Sequence, residues 1–550
     1  MIIMYRRTID PKKRVILYLY DKKYSNYCLK ITIMIVLIPL GGTGQRFKNN
    51  HYKEPKALVR VFGKPIIGWL LDSLNIPENG VVCIPYNKEY IPFRLEDLLR
   101  KTYPHINFHF LPLMTDTEGA AETINIALKT LTLRDQPVIC LDSDNFYGFN
   151  ILEKWNEKNC IFTFTDTNSN PIYSYIETDG VSVKNIVEKQ KISNQACTGA
   201  YGFTSYKELI NYTQHILDKK MTQNNEYYTS GVIQEMLKGN HMFSFTNIER
   251  DEYICLGTPL QVKSFYHNFP KVSCKTSEQK IKEMRICFDL DNTLVTYPMV
   301  KDDYTTVQPV TRNIEYLRYL KSFGHTIIVY TARRMKTHKG NVGKILSDIG
   351  KITFDTLDKF EIPYDEIYFG KPQADFYIDD LAVNCFDNME KCMGFYMNEI
   401  KPRDFNQIEQ KTIDTLTKRS NCLEGEIYYY NHIPKELKDM FPLLIDYDED
   451  NTWYTMEKIK GLSLSDYYIS ELLTEELLKH IMNSIRRIQN TKICENESTN
   501  IYENYSRKLQ KRFQEYDYSV FPKHQELYIR LLYELVEYEK KDLGKKTIIH

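Results

Sequence analysis

The chain has 550 residues, too many for one apolar core, and domain-size statistics point to about three or four units. Lys plus Arg equals Asp plus Glu at 72 each, which argues against a general binder of nucleic acid or anionic membrane, since those need a basic excess. Its twelve cysteines are scattered with no CxxC spacing, which argues against structural zinc and a disulfide framework and leaves a reducing, cytoplasmic compartment as the expectation.

Residues 1–33 are basic and Tyr-rich, with no clear amphipathic period and no signal-cleavage pattern; they read as a peripheral extension. The apolar run Ile31–Leu40 ends in Gly-Gly and is shorter than the roughly 18 residues a membrane span needs, so it reads as a buried strand and no membrane insertion is expected. From Met34 to about Asn268, short apolar runs alternate with helical patterns. Val81–Pro85, Val138–Leu141 and Ile161–Thr165 read as strands, and Ala120–Leu131 as a helix. Such alternation implies an α/β domain with a mostly parallel, Rossmann-like sheet over residues 34–268. A polar linker over 269–283, including Ser273–Glu283, precedes a second α/β block over 284–400. A third block, 401–550, is mixed at first and strongly helical after Thr474.

In the first block the strand feeds LIPLGGTGQRF, Leu37–Phe47, with Gly41, Gly42 and Gly44 followed by Arg46, and then Glu54-Pro55-Lys56. Glycines let backbone N–H groups curl around an anion, and the two cations supply charge. No GxxxxGK[ST] loop occurs. The segment resembles the sugar-phosphate nucleotidyltransferase family, whose opening loop reads GG-x-G-x-R followed by Pro-Lys. The resemblance implies that Glu118, Gly119 and Ala120 contact the nucleotide base. It implies that Asp144 binds Mg²⁺ with Asp142 in support, and that Glu188 and Lys189 hold the sugar phosphate. Gly199, within Thr198–Phe203, would line the acceptor pocket, with Glu226 and Leu256–Pro259 in closing elements. Many members carry a second metal-binding Asp where this chain has Cys255; Asp251 and Glu226 are candidates to replace it. The implied substrates are an NTP and a phosphorylated small molecule, with Mg²⁺, Arg46 and Lys56 stabilising phosphoryl charge.

FDLDNTLV, Phe288–Val295, opens the second block. Two carboxylates two residues apart at a strand end share one side of the backbone. The pattern resembles haloacid-dehalogenase-type phosphatases, and its short spacing resembles the capsule-biosynthesis form with a minimal cap. The resemblance implies a doubly wound fold in which Asp289 is the nucleophile and Asp291 the acid and base. Thr331, ending IIVYT, and Lys371, in YFGKP, would bind the phosphoryl group. A fourth strand, in FYIDDLAVN, would carry Asp379 and Asp380 to a Mg²⁺ shared with Asp289 and Asp291.

In the third block, Glu424–Tyr428, Asn431–Pro434 and Tyr454–Gly461 resemble the choline-kinase and aminoglycoside-phosphotransferase family. That implies a partial α+β kinase-like region with an ATP-site pair of Lys418 and Glu426, and with Met456–Ile459, including Glu457, at the adenine-facing hinge. The Lys546–His550 segment would end where that family's catalytic loop begins, so a catalytically incomplete region is expected. Together the blocks imply a multifunctional enzyme of activated-sugar or polyol synthesis for glycan or capsule-like polymers, with no nucleic acid as partner. Nucleic-acid end processing and a non-catalytic scaffold are the alternatives; the neutral charge and absent P-loop oppose the first, and the Asp289, Asp291, Lys371 and Asp379 set opposes the second.

Overall fold

A computed structural model of the chain describes residues 34–167, 171–223, 225–269, 281–397, 406–409, 414–420, 423–459, 461–469, 473–491 and 503–540. The 1–33 extension, residues 270–280 of the expected linker and the Lys546–His550 segment lie outside them. The chain divides into two compact units, Met1–Asn398 with Gly461–Leu472 and Glu399–Lys460 with Leu473–His550. Among the described residues no helix is long and apolar enough to cross a membrane.

In the first unit, Ile35–Leu37 is a strand buried on both faces. Its side chains alternate: Ile35 and Leu37 enter one apolar layer with the helix Ala120–Lys129, while Val36 enters the other with the helix Ile66–Asp72. That period of two is the strand pleat, and helices on both faces explain why no residue of the strand is polar. Parallel neighbours flank it, Ile35 pairing with Val81 on one side and with Val138 on the other. The chain first builds outward through Val81–Asn87 to Phe108–Leu113, then returns to place Val138–Leu141 on the opposite side. The order therefore reverses between Ile35–Leu37 and Val138–Leu141, and the loops after these two strands part to leave a crevice at their carboxyl ends. The expected parallel core is present, but the sheet continues as a mixed one. Gln195–Phe203 runs antiparallel to Val138–Leu141 and carries Ser174–Thr178 and Val183–Glu188 beyond it.

The second part of this unit holds a parallel sheet of Arg285–Asp289, Thr326–Thr331 and Glu366–Phe369. The fourth strand expected in FYIDDLAVN does not form: residues 371–380 carry no strand, and Ile378 is 100% exposed. Local contacts hold the segment instead. The Tyr377 hydroxyl donates to the Pro372 carbonyl, and the Lys371 ammonium sits 4.5 Å over the Tyr377 ring. Asp379 and Asp380 are consequently exposed.

One apolar core joins the two halves of this unit. Phe62, in the turn between Arg60–Val61 and Lys64–Pro65, stacks on Tyr266 at 4.3 Å and meets Phe395 edge-on at 5.9 Å. The backbone N–H groups of Phe62 and Gly63 donate to the carbonyls of Gly394 and Met393 at 2.8 and 3.0 Å. Tyr266 and Tyr319 share a 2.7 Å hydroxyl bond, and Tyr319 donates to the Tyr396 carbonyl. Gly394 ends the helix Met389–Met393 at φ 74°, and a Cβ there would lie 2.4 Å from the Arg60 carbonyl carbon. Only glycine permits both the left-handed turn and this approach.

The second unit holds an antiparallel sheet in the order Gln407–Glu409, Thr415–Arg419, Trp453–Glu457, Leu444–Tyr447. Helix Glu424–Asn431 covers it through Leu423, Ile427, Leu416, Tyr454 and Met456. Three longer helices, Glu475–Asn490, Glu503–Glu515 and His524–Glu539, follow in the chain.

Candidate functional site

The crevice at the switch point is a cavity of about 870 Å³ whose lining includes Arg46, Lys56, Asp142, Asp144, Glu188 and Lys189. Three cations face three carboxylates. Arg46 comes from the helix Gln45–Asn49 after the Gly-rich loop, and Lys56 from the turn Lys56–Leu58 that Pro55 starts. Asp142 and Asp144 follow the strand Val138–Leu141. Arg46, Lys56 and Asp144 thus share one cavity.

The Lys56 ammonium meets Asp144 Oδ2 at 2.5 Å. Burial pulls the Lys56 pKa down, but Asp144 pulls it up further, and the net direction is upward, so the lysine is held charged. Asp142 is pushed well above the usual carboxylate range, first by burial and then by the negative charge of Asp144. Its backbone N–H donates to the Gly199 carbonyl, while among the described residues no hydrogen bond or ion pair engages its carboxylate. Gly199, at φ 83° in an irregular stretch of the Gln195–Phe203 strand, makes room for it: a Cβ there would lie 2.2 Å from Asp142 Oδ2. Two adjacent carboxylates of which one lacks a partner fit a divalent cation that keeps waters and substrate phosphate as its other ligands. Among the described residues no group of three or more His, Cys, Asp or Glu is placed to hold a metal ion without other ligands.

Cys255 also lines the cavity. Burial, then the Asp144 charge, pushes its thiol up to about 12, so it is a neutral group rather than a stand-in carboxylate. Neither proposed replacement reaches the cavity. Glu226 is exposed and bonds the Tyr228 hydroxyl, and Asp251 is exposed in the turn Arg250–Glu252. The carboxylate that accompanies Asp144 is Asp142, because a tight turn returns both side chains to one strand end. Also in the cavity lining, Glu188 accepts from the hydroxyls of Ser174 and Ser230, the latter at 2.9 Å, and Lys189 donates to Tyr228 at 2.9 Å. Ala120 and Gly199 line the wall; Gly41, Gly42, Gly44, Glu118 and Gly119 are not among its lining residues.

A second cluster forms at the strand ends of the Arg285–Asp289 sheet. Lys371 places its ammonium 2.8 Å from Asp289 Oδ2, and its N–H donates to the Thr331 carbonyl at 3.2 Å. Asp291 is gripped by Arg333, a residue no motif singled out, at 2.8 to 3.0 Å. Burial pushes the Asp291 carboxyl up against the pull of Arg333. The structure brings Asp289, Asp291, Thr331 and Lys371 together, and leaves Asp379 and Asp380 in the exposed segment. The Mg²⁺ set implied by the resemblance is therefore not assembled, since the strand that would deliver its last carboxylates is unpaired. In the other unit Lys418 reaches both Glu426 oxygens at 2.7 Å, and the Tyr454 hydroxyl joins them at 2.7 Å. Glu457 is exposed and accepts from the Leu443 N–H.

Residues 35–250 match the family model described as nucleotidyl transferase, and form a nucleotidyltransferase domain. A comparison with curated proteins gave no match. Solved structures similar to this chain include a nucleoside-diphosphate-sugar pyrophosphorylase from Vibrio cholerae RC9, at 19% identity, 42% of this chain, 99% of that one and TM-score 0.38. An inositol-1-phosphate CTP transferase from T. maritima aligns at 13% identity over 45% of this chain and 98% of that one, with TM-score 0.36. A CTP:phosphocholine cytidylyltransferase from Streptococcus pneumoniae aligns at 14% identity over 43% and 99%, with TM-score 0.34.

Proposed function

We propose that the switch-point cavity joins a nucleotide to a phosphorylated sugar or small polyol. An acceptor phosphate oxygen bonds to the α-phosphorus of an NTP, the α-phosphorus to bridging-oxygen bond breaks, and pyrophosphate leaves. No protein nucleophile is needed, because the attacking phosphate is already ionised. Arg46 and Lys56 stand where negative charge builds on the phosphoryl oxygens, and such fixed donors are worth most in a water-poor cleft. Asp142 and Asp144 are the residues that would hold Mg²⁺, which when bound neutralises phosphate charge and orients the leaving group. Glu188, braced by Ser174 and Ser230, is set to accept from acceptor hydroxyls, with Lys189 beside it for the acceptor phosphate. The observation that supports this reading best is the meeting of Arg46, Lys56, Asp142 and Asp144 on one cavity. It is tested by pyrophosphate release from ATP, CTP, GTP and UTP with Mg²⁺ and a panel of sugar and polyol phosphates. Release from one NTP that depends on an acceptor supports it; no acceptor-dependent release above that of Lys56→Met refutes it.

A second activity, phosphomonoester hydrolysis through Asp289, is favoured by the Asp289–Lys371 contact at a strand end. Lys371 offsets the charge of Asp289 and of an incoming phosphoryl group, and Asp291 stands two residues away to move a proton. Loss of phosphate release in Asp289→Asn tests it. For the kinase-like region the proposal is nucleotide binding at Lys418, paired with Glu426 as phosphate-holding lysines are; unchanged binding of a fluorescent ATP analogue by Lys418→Met would refute it. These activities fit synthesis of activated precursors for surface glycans.

A further inference from the structure

Arg333 is among the largest wholly buried side chains of the protein, and its guanidinium is 0% exposed. A charge so placed persists only where its donors are matched by geometry. Here Nε lies 3.0 Å from both Asp291 oxygens, Nη2 lies 2.8 Å from Oδ1, and Nη1 lies 3.2 Å from Thr353 Oγ1. Its own N–H donates to Thr331 Oγ1 at 3.1 Å. The guanidinium also lies 4.7 Å from the ring centre of Tyr304, which the turn Tyr304–Thr306 supplies. That turn belongs to the Thr296–Pro309 excursion, which leaves the chain just after Asp291 and is closed by a Val295–Pro309 bridge. One planar fork therefore fixes the Asp291 carboxylate and anchors the neighbouring excursion. A flexible ammonium could do neither at once. The other charges around Asp291 are Asp289 and Lys371 at the strand ends, with Arg334 on the same Tyr304 ring.

We propose that Arg333 is a positioning residue of the second site, clamping the Asp291 carboxyl in the direction from which it hands a proton to the leaving oxygen. This rests on the phosphatase reading given above. In the first step the Asp289 oxygen to phosphorus bond forms, the phosphorus to leaving-oxygen bond breaks, and the Asp291 proton moves to the leaving oxygen. In the second, water attacks phosphorus, its proton passes to Asp291, the bond to Asp289 breaks, and phosphate departs. Arg333 itself moves no proton and forms no bond to phosphorus in either step; it acts through the Asp291 carboxyl that it holds. It removes the rotations of the Asp291 side chain that would carry the proton away from the leaving group.

The test uses the full chain with Mg²⁺ present and two probes, phenyl phosphate and 2,4-dinitrophenyl phosphate. The dinitrophenolate leaves without a proton; the phenolate needs one. kcat/KM reports the steps up to the phosphorylated Asp289, where the leaving group departs. Arg333→Gln is expected to lower kcat/KM roughly 10²-fold on phenyl phosphate and less than about 10-fold on the dinitrophenyl ester. Arg333→Lys, which keeps the charge but loses the fork, is expected to show the same split. The ratio is measured on one preparation, so any misfolded fraction cancels. Equal losses on both esters would overturn the inference and leave the phosphatase reading standing. Wild-type hydrolysis of neither ester above the Asp289→Asn level would remove that reading and the inference together.

Discussion

Gly199→Ala separates the role of Asp142 from that of the surrounding strand. The alanine must adopt φ 83°, which costs about 1–2 kcal/mol for a residue with a Cβ. Its Cβ would also start 2.2 Å from Asp142 Oδ2 and 2.8 Å from Asn145 Nδ2. Relief of the first contact requires the carboxylate to move by about 1 Å. A misplacement of that size at a reacting centre costs on the order of 10²-fold in rate, or about 3 kcal/mol in the barrier. The expected result is a melting temperature lowered by a few degrees and a turnover in pyrophosphate release lowered about 100-fold, with a higher Mg²⁺ concentration at half-activation. Gly180→Ala is the control. It carries the same kind of backbone strain, at φ 90°, with nothing within 4 Å of the added carbon. Equal turnover in the two variants, each matching wild type, would refute the assignment of Asp142 to a cation-holding pair.

Three further outcomes follow from the geometry. Lys56→Met, which strips Asp144 of its ion pair and the cavity of one cation, is expected to lower turnover in pyrophosphate release by about 10²–10³-fold; an unchanged kcat would contradict the role given to Lys56. Gly394→Ala places a Cβ 2.4 Å from the Arg60 carbonyl at φ 74° and is expected to cost about 2 kcal/mol or more. In urea, pyrophosphate release and phosphate release should then fail at the same lowered concentration, because the two halves share one core; two separated transitions would count against this. His325 accepts the Met284 N–H on Nδ1 at 3.3 Å, while Nε2 is buried without a partner among the described residues. Burial lowers its pKa below the unfolded value of 6.5. Between the lowered and the ordinary pKa the unfolded chain binds more protons, so this contribution is present above pH 6.5 and is lost as pH falls through that window. The slope is at most about 1.4 kcal/mol per pH unit. His325→Phe should flatten the dependence of urea stability on pH below 6.5, and an unaltered slope would show that another group sets it.

Local order along the chain was enough to reveal the strands Val81–Asn87 and Val138–Leu141 and the helix Ala120–Lys129, because burial on both faces and a helical period leave marks that need no partner. Short motifs also pointed to Arg46, Lys56 and Asp144, which share one cavity, and to Asp289 and Lys371, which lie 2.8 Å apart. Arg333 escaped notice because a buried arginine in TARR reads as a surface cation until its partner is known. Only its place two residues after Thr331 at a strand end hinted otherwise. Asp142 was taken as a support to Asp144; the room for its carboxylate comes from Gly199, on a strand more than fifty residues later.

Composition and spacing thus determined which residue types reach each strand end, since those depend on hydrogen-bonding period and on turn chemistry within a few residues. Folding in three dimensions settled everything that requires distant segments to meet. It decided that FYIDDLAVN stays off the sheet, that Cys255 is a half-buried thiol on the cavity wall, and that Phe62, Tyr266 and Phe395 weld two blocks into one core. Which strands pair, and which polar side chains are buried against which partners, are set by neighbours in space, and no pattern of period two or 3.6 carries them.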